Sequence, residues 1–91
     1  MDKKRVVITG LGIISPIGND VPAFWDSIKN GRCGVGPLTS FDPAGFDSRI
    51  AGEVKDFNPS LYPISAKDIR RLEKFVQYSI AASSQAIKDS G

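Results

Sequence analysis

The run Val6-Val7-Ile8-Thr9-Gly10-Leu11-Gly12-Ile13-Ile14 is continuously apolar and rich in β-branched residues. Because it lacks strict alternation, it predicts a strand buried on both faces, as in a parallel sheet. Gly10 and Gly12 end this strand, and Ser15-Pro16 disfavours its continuation. A dinucleotide-binding turn would need a third glycine where Ser15 stands, so the two glycines are better explained by close packing of the chain.

A first helix is predicted directly after this run. Asn19 or Asp20 can cap it, Pro22 suits its first turn, and Gly31 is a good stop after its last turn. Its apolar stripe consists of Phe24, Trp25 and Ile28. Residues 31–48 hold several glycines and prolines and predict an irregular connection, whereas the alternation in residues 49–55 predicts a half-exposed strand.

A second, longer helix is predicted at the end of the chain. Ser65-Ala66-Lys67-Asp68 fits a capping box, in which the serine oxygen accepts from the amide of Asp68 and the aspartate carboxylate reaches back. No proline or glycine follows until Gly91, so the helix is expected to continue to Ser90. Its apolar face is formed by residues at helical spacing, namely Ile69, Leu72, Val76, Ile80 and Ile87.

The composition excludes several kinds of function. The 91 residues carry 12 Lys and Arg against 10 Asp and Glu, and the resulting charge of +2 is too weak to indicate a nucleic-acid partner. The aromatic residues are dispersed and do not interleave with basic ones, which argues the same way. The absence of histidine excludes Ser-His and Cys-His nucleophiles and His-ligated metal sites within these residues.

Cysteine usage and hydropathy bear on the location of the protein. Cys33 is the one cysteine of the chain, so no internal disulfide can form, which favours an intracellular protein. Neither a membrane span nor a signal peptide is recognisable, so a cytoplasmic location is expected. Because no histidine can act as its base, Cys33 is interpreted as a plain loop cysteine.

Four cations of the predicted second helix form a basic stripe. They stand at i, i+3, i+4 and i+7, nearly opposite the apolar face, and are Lys67, Arg70, Arg71 and Lys74. Asp68 and Glu73 fall outside the stripe, so it is mostly unneutralised. From spacing alone, a solvated helix surface is favoured over a site for an acidic partner.

A family resemblance covers nearly the whole chain. The start of the chain resembles the start of the β-ketoacyl-acyl-carrier-protein synthases, most of all the elongating synthase II type, in residues Arg5–Gly12 and Ser15–Asn19. The similarity continues in the same order through Phe24-Trp25, Gly31, Gly34-Val35, Phe41-Asp42, Ile50–Phe57, Arg70–Tyr78 and Ala86–Gly91. Leu72-Glu73 departs from the Met-Asp of the family pattern.

This resemblance implies a thiolase-like α/β fold, layered α-β-α-β-α and assembled as a homodimer. Residues 1–91 would form only the N-terminal β-α-β-α portion of its first half, in the N-terminal synthase domain. The implied reaction is a decarboxylative Claisen condensation, in which a cysteine takes an acyl group from an acyl-carrier protein and two histidines assist the decarboxylation of a malonyl thioester. No cofactor is implied, because the phosphopantetheine arm belongs to the carrier protein.

The resemblance places no catalytic residue on this chain, since the nucleophile and both histidines of the family lie beyond it. It does assign carrier-protein docking to Lys67, Arg70 and Arg71, and less firmly to Lys74, and so favours docking over a solvated surface. The chain alone is therefore predicted to be inactive and, with a double-faced apolar strand, to fold poorly by itself. A non-catalytic carrier-protein-binding module and a polyketide ketosynthase or chain-length-factor relative stay open as alternatives.

Overall fold

The computed structural model describes residues 3–91. Within these residues, three helices, one short hairpin and one 3-10 turn follow one another. They are α1 (Val21–Lys29), β1 (Val35–Pro37), β2 (Ile50–Gly52), the 3-10 turn Pro59–Leu61, α2 (Ala66–Arg71) and α3 (Lys74–Ser90).

The predicted N-terminal strand is wrong for the chain as described, because residues 6–14 carry no regular secondary structure. Val6 and Ile8 are 95% and 80% exposed instead of buried on both faces. The physical reason is the lack of a neighbour: a strand needs a hydrogen-bonded partner at its edge, and no strand of residues 3–91 pairs with this segment.

The two glycines of this segment are packed directly against α3. A Cβ atom on Gly10 would overlap the carbonyl oxygen of Ala86, and one on Gly12 would overlap that of Ala82. The amide of Leu11 donates to the Asp89 carboxylate at 3.0 Å. Close packing, which the sequence favoured over nucleotide binding, is therefore what these glycines permit.

Helix α1 begins and ends as its sequence predicts. Of the two candidate caps, Asp20 acts, accepting the amide of Ala23 at 2.8 Å. Pro22 lies in the first turn, and Gly31 follows the helix with φ +64°, a left-handed value that suits glycine. The apolar stripe is only partly covered, since Trp25 is 57% exposed.

The hairpin differs from the prediction in two ways. β1 lies inside the connection that was expected to be irregular, and β2 is shorter than the predicted strand over 49–55. The two strands pair antiparallel, with Val35 opposite Gly52 and Pro37 opposite Ile50. β1 contains a glycine and a proline, which both have low strand propensity, so the sequence does not predict it. The strand forms because β2 pairs with it.

The predicted long C-terminal helix is two helices. Leu72 and Glu73 are extended, with ψ of 141° and 158°, and separate α2 from α3. Neither residue is a helix breaker, so local sequence does not mark the interruption. The predicted apolar face is also incomplete, because Ile87 is 72% exposed.

Few residues of the chain are buried. The buried apolar residues of the described part are Ile64 and Ala81, and the buried polar ones are Ser27 and Gln77. The radius of gyration is 16.6 Å, whereas a compact domain of this length has about 12 Å. The elements are thus spread out and leave large apolar side chains uncovered. None of the helices in residues 3–91 has both the length and the apolar character that crossing a membrane would require.

Candidate functional site

The cations singled out by the sequence lie around the start of the C-terminal helical region. Ser65 begins α2, its hydroxyl oxygen accepting the amide of Asp68 at 3.1 Å as the capping pattern predicts. The second half of that pattern is wrong. Instead of reaching back to the backbone at the start of the helix, the Asp68 carboxylate accepts a hydrogen bond from Arg71, one turn further along, at 2.8 Å. A cation one turn away has displaced the expected contact with the backbone.

The four cations are all exposed and form what we term the basic surface, namely Lys67, Arg70, Arg71 and Lys74. The first three lie on α2 at positions i, i+3 and i+4. Lys74 is instead the first residue of α3. The prediction of one continuous helical stripe is therefore wrong for Lys74, because the extended Leu72-Glu73 link resets the helical register.

The charge state of the basic surface is uneven. Arg71 pairs with Asp68, and both side chains keep considerable contact with solvent. Over residues 3–91, neither Lys67, Arg70 nor Lys74 takes part in a salt bridge. The expected excess of positive charge is present on three cations, while the charge of Arg71 is partly offset by its neighbour.

Lys74 lies beside a groove rather than on the exposed face of α2. The groove has a volume of about 840 Å³ and runs between the hairpin and the first turn of α3, where its lining includes Glu53, Phe57 and Tyr78. Phe57 and Tyr78 meet edge to face with ring centroids 4.8 Å apart. The surroundings of Lys74 therefore differ from those of the α2 cations, in keeping with its less firm assignment.

The carboxylate of Glu53 keeps a negative charge in this groove. It accepts hydrogen bonds from the hydroxyl and the amide of Thr39, at 2.8 and 3.0 Å, and from the amide of Ser40 at 2.9 Å. These donors, the Thr39 side-chain contact first, lower the pKa of Glu53 from 4.5 to about 2. Glu53 and Lys74 thus place opposite charges along the lining of one groove, which the sequence did not reveal.

A buried glutamine at the α2–α3 junction was missed by the sequence interpretation. The side-chain amide of Gln77 donates to the carbonyl oxygens of Ile69 and Leu72, at 3.0 and 2.9 Å. A polar residue inside a predicted amphipathic helix could have suggested such a contact, because buried amides require partners.

Cys33 lies in a different region and lacks the surroundings of a nucleophile. It is exposed and lines a cavity of about 370 Å³ beside the turn of residues 15–18. The adjacent Arg32 pairs with Asp26 at 3.3 Å. The Lys55 ammonium is shared among the backbone carbonyls of Pro16, Gly34 and Glu53. Both nearby cations are thus engaged elsewhere, and this geometry supports a plain loop cysteine.

Metal chemistry finds no support in the arrangement of side chains. Among residues 3–91, no three or more Cys, Asp or Glu side chains converge in a way that could hold a metal ion.

Comparison with known proteins places the chain in a family. Residues 3–91 match the family model of the beta-ketoacyl synthase, N-terminal domain. The chain is 47% identical over 91 residues to 3-oxoacyl-acyl-carrier-protein synthase 2 of Coxiella burnetii, and 46% identical over 91 residues to the protein of the same name from Vibrio harveyi. Each match covers all of this chain and 22% of the relative. The chain therefore spans about a fifth of the length of these two relatives.

Relatives of a polyketide type are similar as well. A putative polyketide beta-ketoacyl synthase 1 of Streptomyces cyaneus is 40% identical over 88 residues, which are 97% of this chain and 21% of that protein. The solved structure of the ishigamide ketosynthase/chain length factor matches with a TM-score of 0.82 and 38% identity, over 93% of this chain and 21% of that one. These matches confirm the predicted thiolase-like α/β fold class, and the chain belongs to the family of the β-ketoacyl synthase N-terminal domain.

Proposed function

We propose that the natural protein containing this chain is a condensing enzyme that elongates acyl chains in fatty-acid biosynthesis. In this reaction an acyl group carried as a thioester is transferred to an enzyme cysteine. A malonyl thioester then loses carbon dioxide, and its carbanion equivalent attacks the carbonyl carbon of the acyl-enzyme thioester. The new carbon–carbon bond forms as the carbon–sulfur bond breaks and the cysteine thiolate leaves. The identity of 47% to a 3-oxoacyl-acyl-carrier-protein synthase 2 supports this reaction class.

The chain itself supplies scaffold and docking rather than catalysis in this proposal. It has no histidine, so the two histidines that the family resemblance implies must come from outside these 91 residues. Its cysteine, Cys33, lies in an exposed loop with no base. The chain alone is accordingly expected to show no condensing activity.

The partner in this proposal is an acyl-carrier protein, which brings the acyl and malonyl groups on its own phosphopantetheine arm. No further cofactor is needed, because the arm and its thioester supply the chemistry. A homodimeric, cytoplasmic enzyme is the form that we expect, since it is the one implied by the family.

The observation that carries the docking role is that Lys67 and Arg70 are exposed and form no salt bridge with any residue of 3–91. They lie three residues apart on α2, so they are neighbours on one face of that helix. Two such cations attract an acidic helix of a partner, raising its association rate and selecting against basic surfaces. The interaction should weaken with salt, since both cations are in contact with solvent.

Charge reversal tests this docking role. In the natural protein, the double variant Lys67→Glu/Arg70→Glu is expected to raise the Kd for acyl-carrier protein by about 10- to 100-fold at low salt, since each reversal changes an interfacial charge pair by roughly 1 kcal/mol or more. Lys4→Glu/Arg5→Glu is the matched control, with the same change in charge at two exposed cations. Those residues precede the segment packed on the far half of α3. Equal Kd values for the two double variants would reject the docking role.

A polyketide-type ketosynthase or chain-length factor is the second candidate. The similarity to the ishigamide ketosynthase/chain length factor and to the Streptomyces cyaneus protein favours it. A non-catalytic module that only binds carrier protein would share the basic surface but perform no condensation. The intact mass of the natural protein and the product formed from acyl and malonyl carrier thioesters distinguish the three. One added two-carbon unit indicates the elongating enzyme, and repeated addition indicates a polyketide ketosynthase. No product indicates either a chain-length factor, with a mass several times 9.8 kDa, or the binding module, with a mass near 9.8 kDa.

A further inference from the structure

Gln77 joins the end of α2 to the beginning of α3. It lies in the first turn of α3 and is only 2% exposed to solvent. Its side-chain nitrogen donates both protons to backbone oxygens, one to Ile69 in α2 and one to Leu72 at the end of α2. These oxygens belong to the carbonyls that a helix leaves unpaired in its last turn.

Little else holds α2 in place. The helix has six residues, none of them buried, and a helix of this length is not stable by itself in water. The Ser65 cap and the Asp68–Arg71 pair are internal to its own segment. Helix α2 packs against the 3-10 turn Pro59–Leu61. The side-chain hydrogen bonds that connect it to another described element come from Gln77.

The link between the two helices does not fix their relative orientation. Leu72 and Glu73 are both extended, and neither is a proline, so their backbone dihedral angles are free to vary once the flanking contacts are lost. The two hydrogen bonds of the buried Gln77 side chain span this link, from α3 back to the end of α2. They therefore tie the end of α2 to the first turn of α3.

We infer that Gln77 is a positioning residue for carrier-protein docking, which holds α2 so that Lys67 and Arg70 face the partner. This inference rests on the docking role proposed above. In this proposal, affinity depends on a buried neutral side chain whose hydrogen bonds within residues 3–91 go to the backbone of Ile69 and Leu72 and not to the cations. If loss of both hydrogen bonds leaves the docking orientation populated for about one fifth of the time, the apparent Kd rises about fivefold, since Kd scales inversely with the competent fraction.

The test replaces Gln77 by methionine in the natural protein. Gln77→Met keeps an unbranched side chain of similar length in the buried position but removes both donors. We expect the Kd for acyl-carrier protein to rise about fivefold. In the condensation assay, the KM for the malonyl carrier protein should rise, while kcat with a small malonyl pantetheine thioester stays unchanged. A purely structural defect would lower both activities.

The matched control is Gln85→Met, a second glutamine of α3. Among residues 3–91, the side chain of Gln85 forms hydrogen bonds with Ile13, Asn19 and Tyr62 and with no residue of α2. It should leave the carrier Kd unchanged even if it lowers the melting temperature. Hydrogen exchange of the α2 amides gives an independent measurement, which Gln77→Met should accelerate and Gln85→Met should not.

The outcomes separate this inference from the docking role. If Lys67→Glu/Arg70→Glu weakens binding but Gln77→Met changes neither Kd nor α2 exchange, positioning is rejected and docking stands. If the charge reversals leave Kd unchanged, docking is rejected and positioning with it. Equal losses of affinity in Gln77→Met and Gln85→Met would show general destabilisation, and would also overturn the inference.

Discussion

The carboxylate of Asp68 lies 2.8 Å from the guanidinium of Arg71, one turn further along α2. The side chains are 36% and 67% exposed, so water screens the attraction and the pair contributes little to folding. The pair bears on binding as well, because it places a negative charge among the cations proposed to meet an acidic partner. Asp68 thus lowers the net positive charge of the basic surface.

Removal of this negative charge is expected to strengthen carrier-protein binding. Asp68→Asn frees Arg71 and leaves the backbone amide of residue 68 available to the Ser65 cap. We expect the Kd for acyl-carrier protein to fall by about two- to fivefold at low salt, given that an exposed pair is worth roughly 0.2–1 kcal/mol. Fluorescence anisotropy with labelled carrier protein measures this change.

The same change at a distant carboxylate provides the control. Asp26→Asn also removes one exposed carboxylate that pairs with an arginine, Arg32, but in α1. It should leave the Kd nearly unaltered. A Kd that Asp68→Asn raises, or that both variants lower equally, would contradict the proposed part of Asp68.

Contact between the N-terminal segment and α3 gives a prediction about stability. A Cβ atom on Gly12 would overlap the carbonyl oxygen of Ala82, and backbone atoms cannot move aside as a flexible side chain can. Gly12→Ala is expected to lower the free energy of unfolding of the natural protein by about 1–3 kcal/mol, the usual cost of overpacking. Chemical denaturation measures the difference.

Gly36→Ala is the matched control for this variant. A Cβ atom at Gly36 would meet nothing within 4 Å, so the methyl group fits. We expect a change of at most about 0.5 kcal/mol, as at surface positions generally. If Gly12→Ala were as well tolerated as Gly36→Ala, the close approach of residue 12 to α3 would be refuted.

Features fixed by neighbouring residues were predictable from the sequence. The Asp20 and Ser65 caps form because an oxygen-bearing side chain stands next to unpaired amides, and this requires no knowledge of the remaining chain. The identity of the exposed cations was equally accessible, since charged side chains seldom enter a core.

Features fixed by distant residues were not predictable. The break at Leu72-Glu73 is stabilised by Gln77, whose amide replaces helical hydrogen bonds that the link forgoes. β1 forms because β2 lies beside it, despite its glycine and proline. Conversely, residues 6–14 have the composition of a buried strand but no partner strand among the described residues, so composition alone does not make the strand.

Acidity should act on stability through Glu53. Hydrogen bonds from Thr39 and Ser40 lower its pKa from 4.5 to about 2. Because the folded-state pKa is depressed, the stabilisation is fully present above pH 4.5 and is lost as the pH falls toward 2. We therefore expect the difference in urea midpoint between the natural protein and Glu53→Gln to narrow as the pH falls through this range.

Thr39→Val separates the cause of this effect from its consequence. The substitution retains the carboxylate of Glu53 and removes the hydroxyl that donates to it at 2.8 Å, while the amide of residue 39 continues to donate. The pKa of Glu53, followed by its side-chain carboxyl resonance in a carbon-detected NMR titration, should rise toward 4.5 without reaching it. A pKa of Glu53 unchanged by Thr39→Val would show that the side-chain hydrogen bond is not the main cause. A wild-type pKa near 4.5 would instead remove the expected pH dependence altogether.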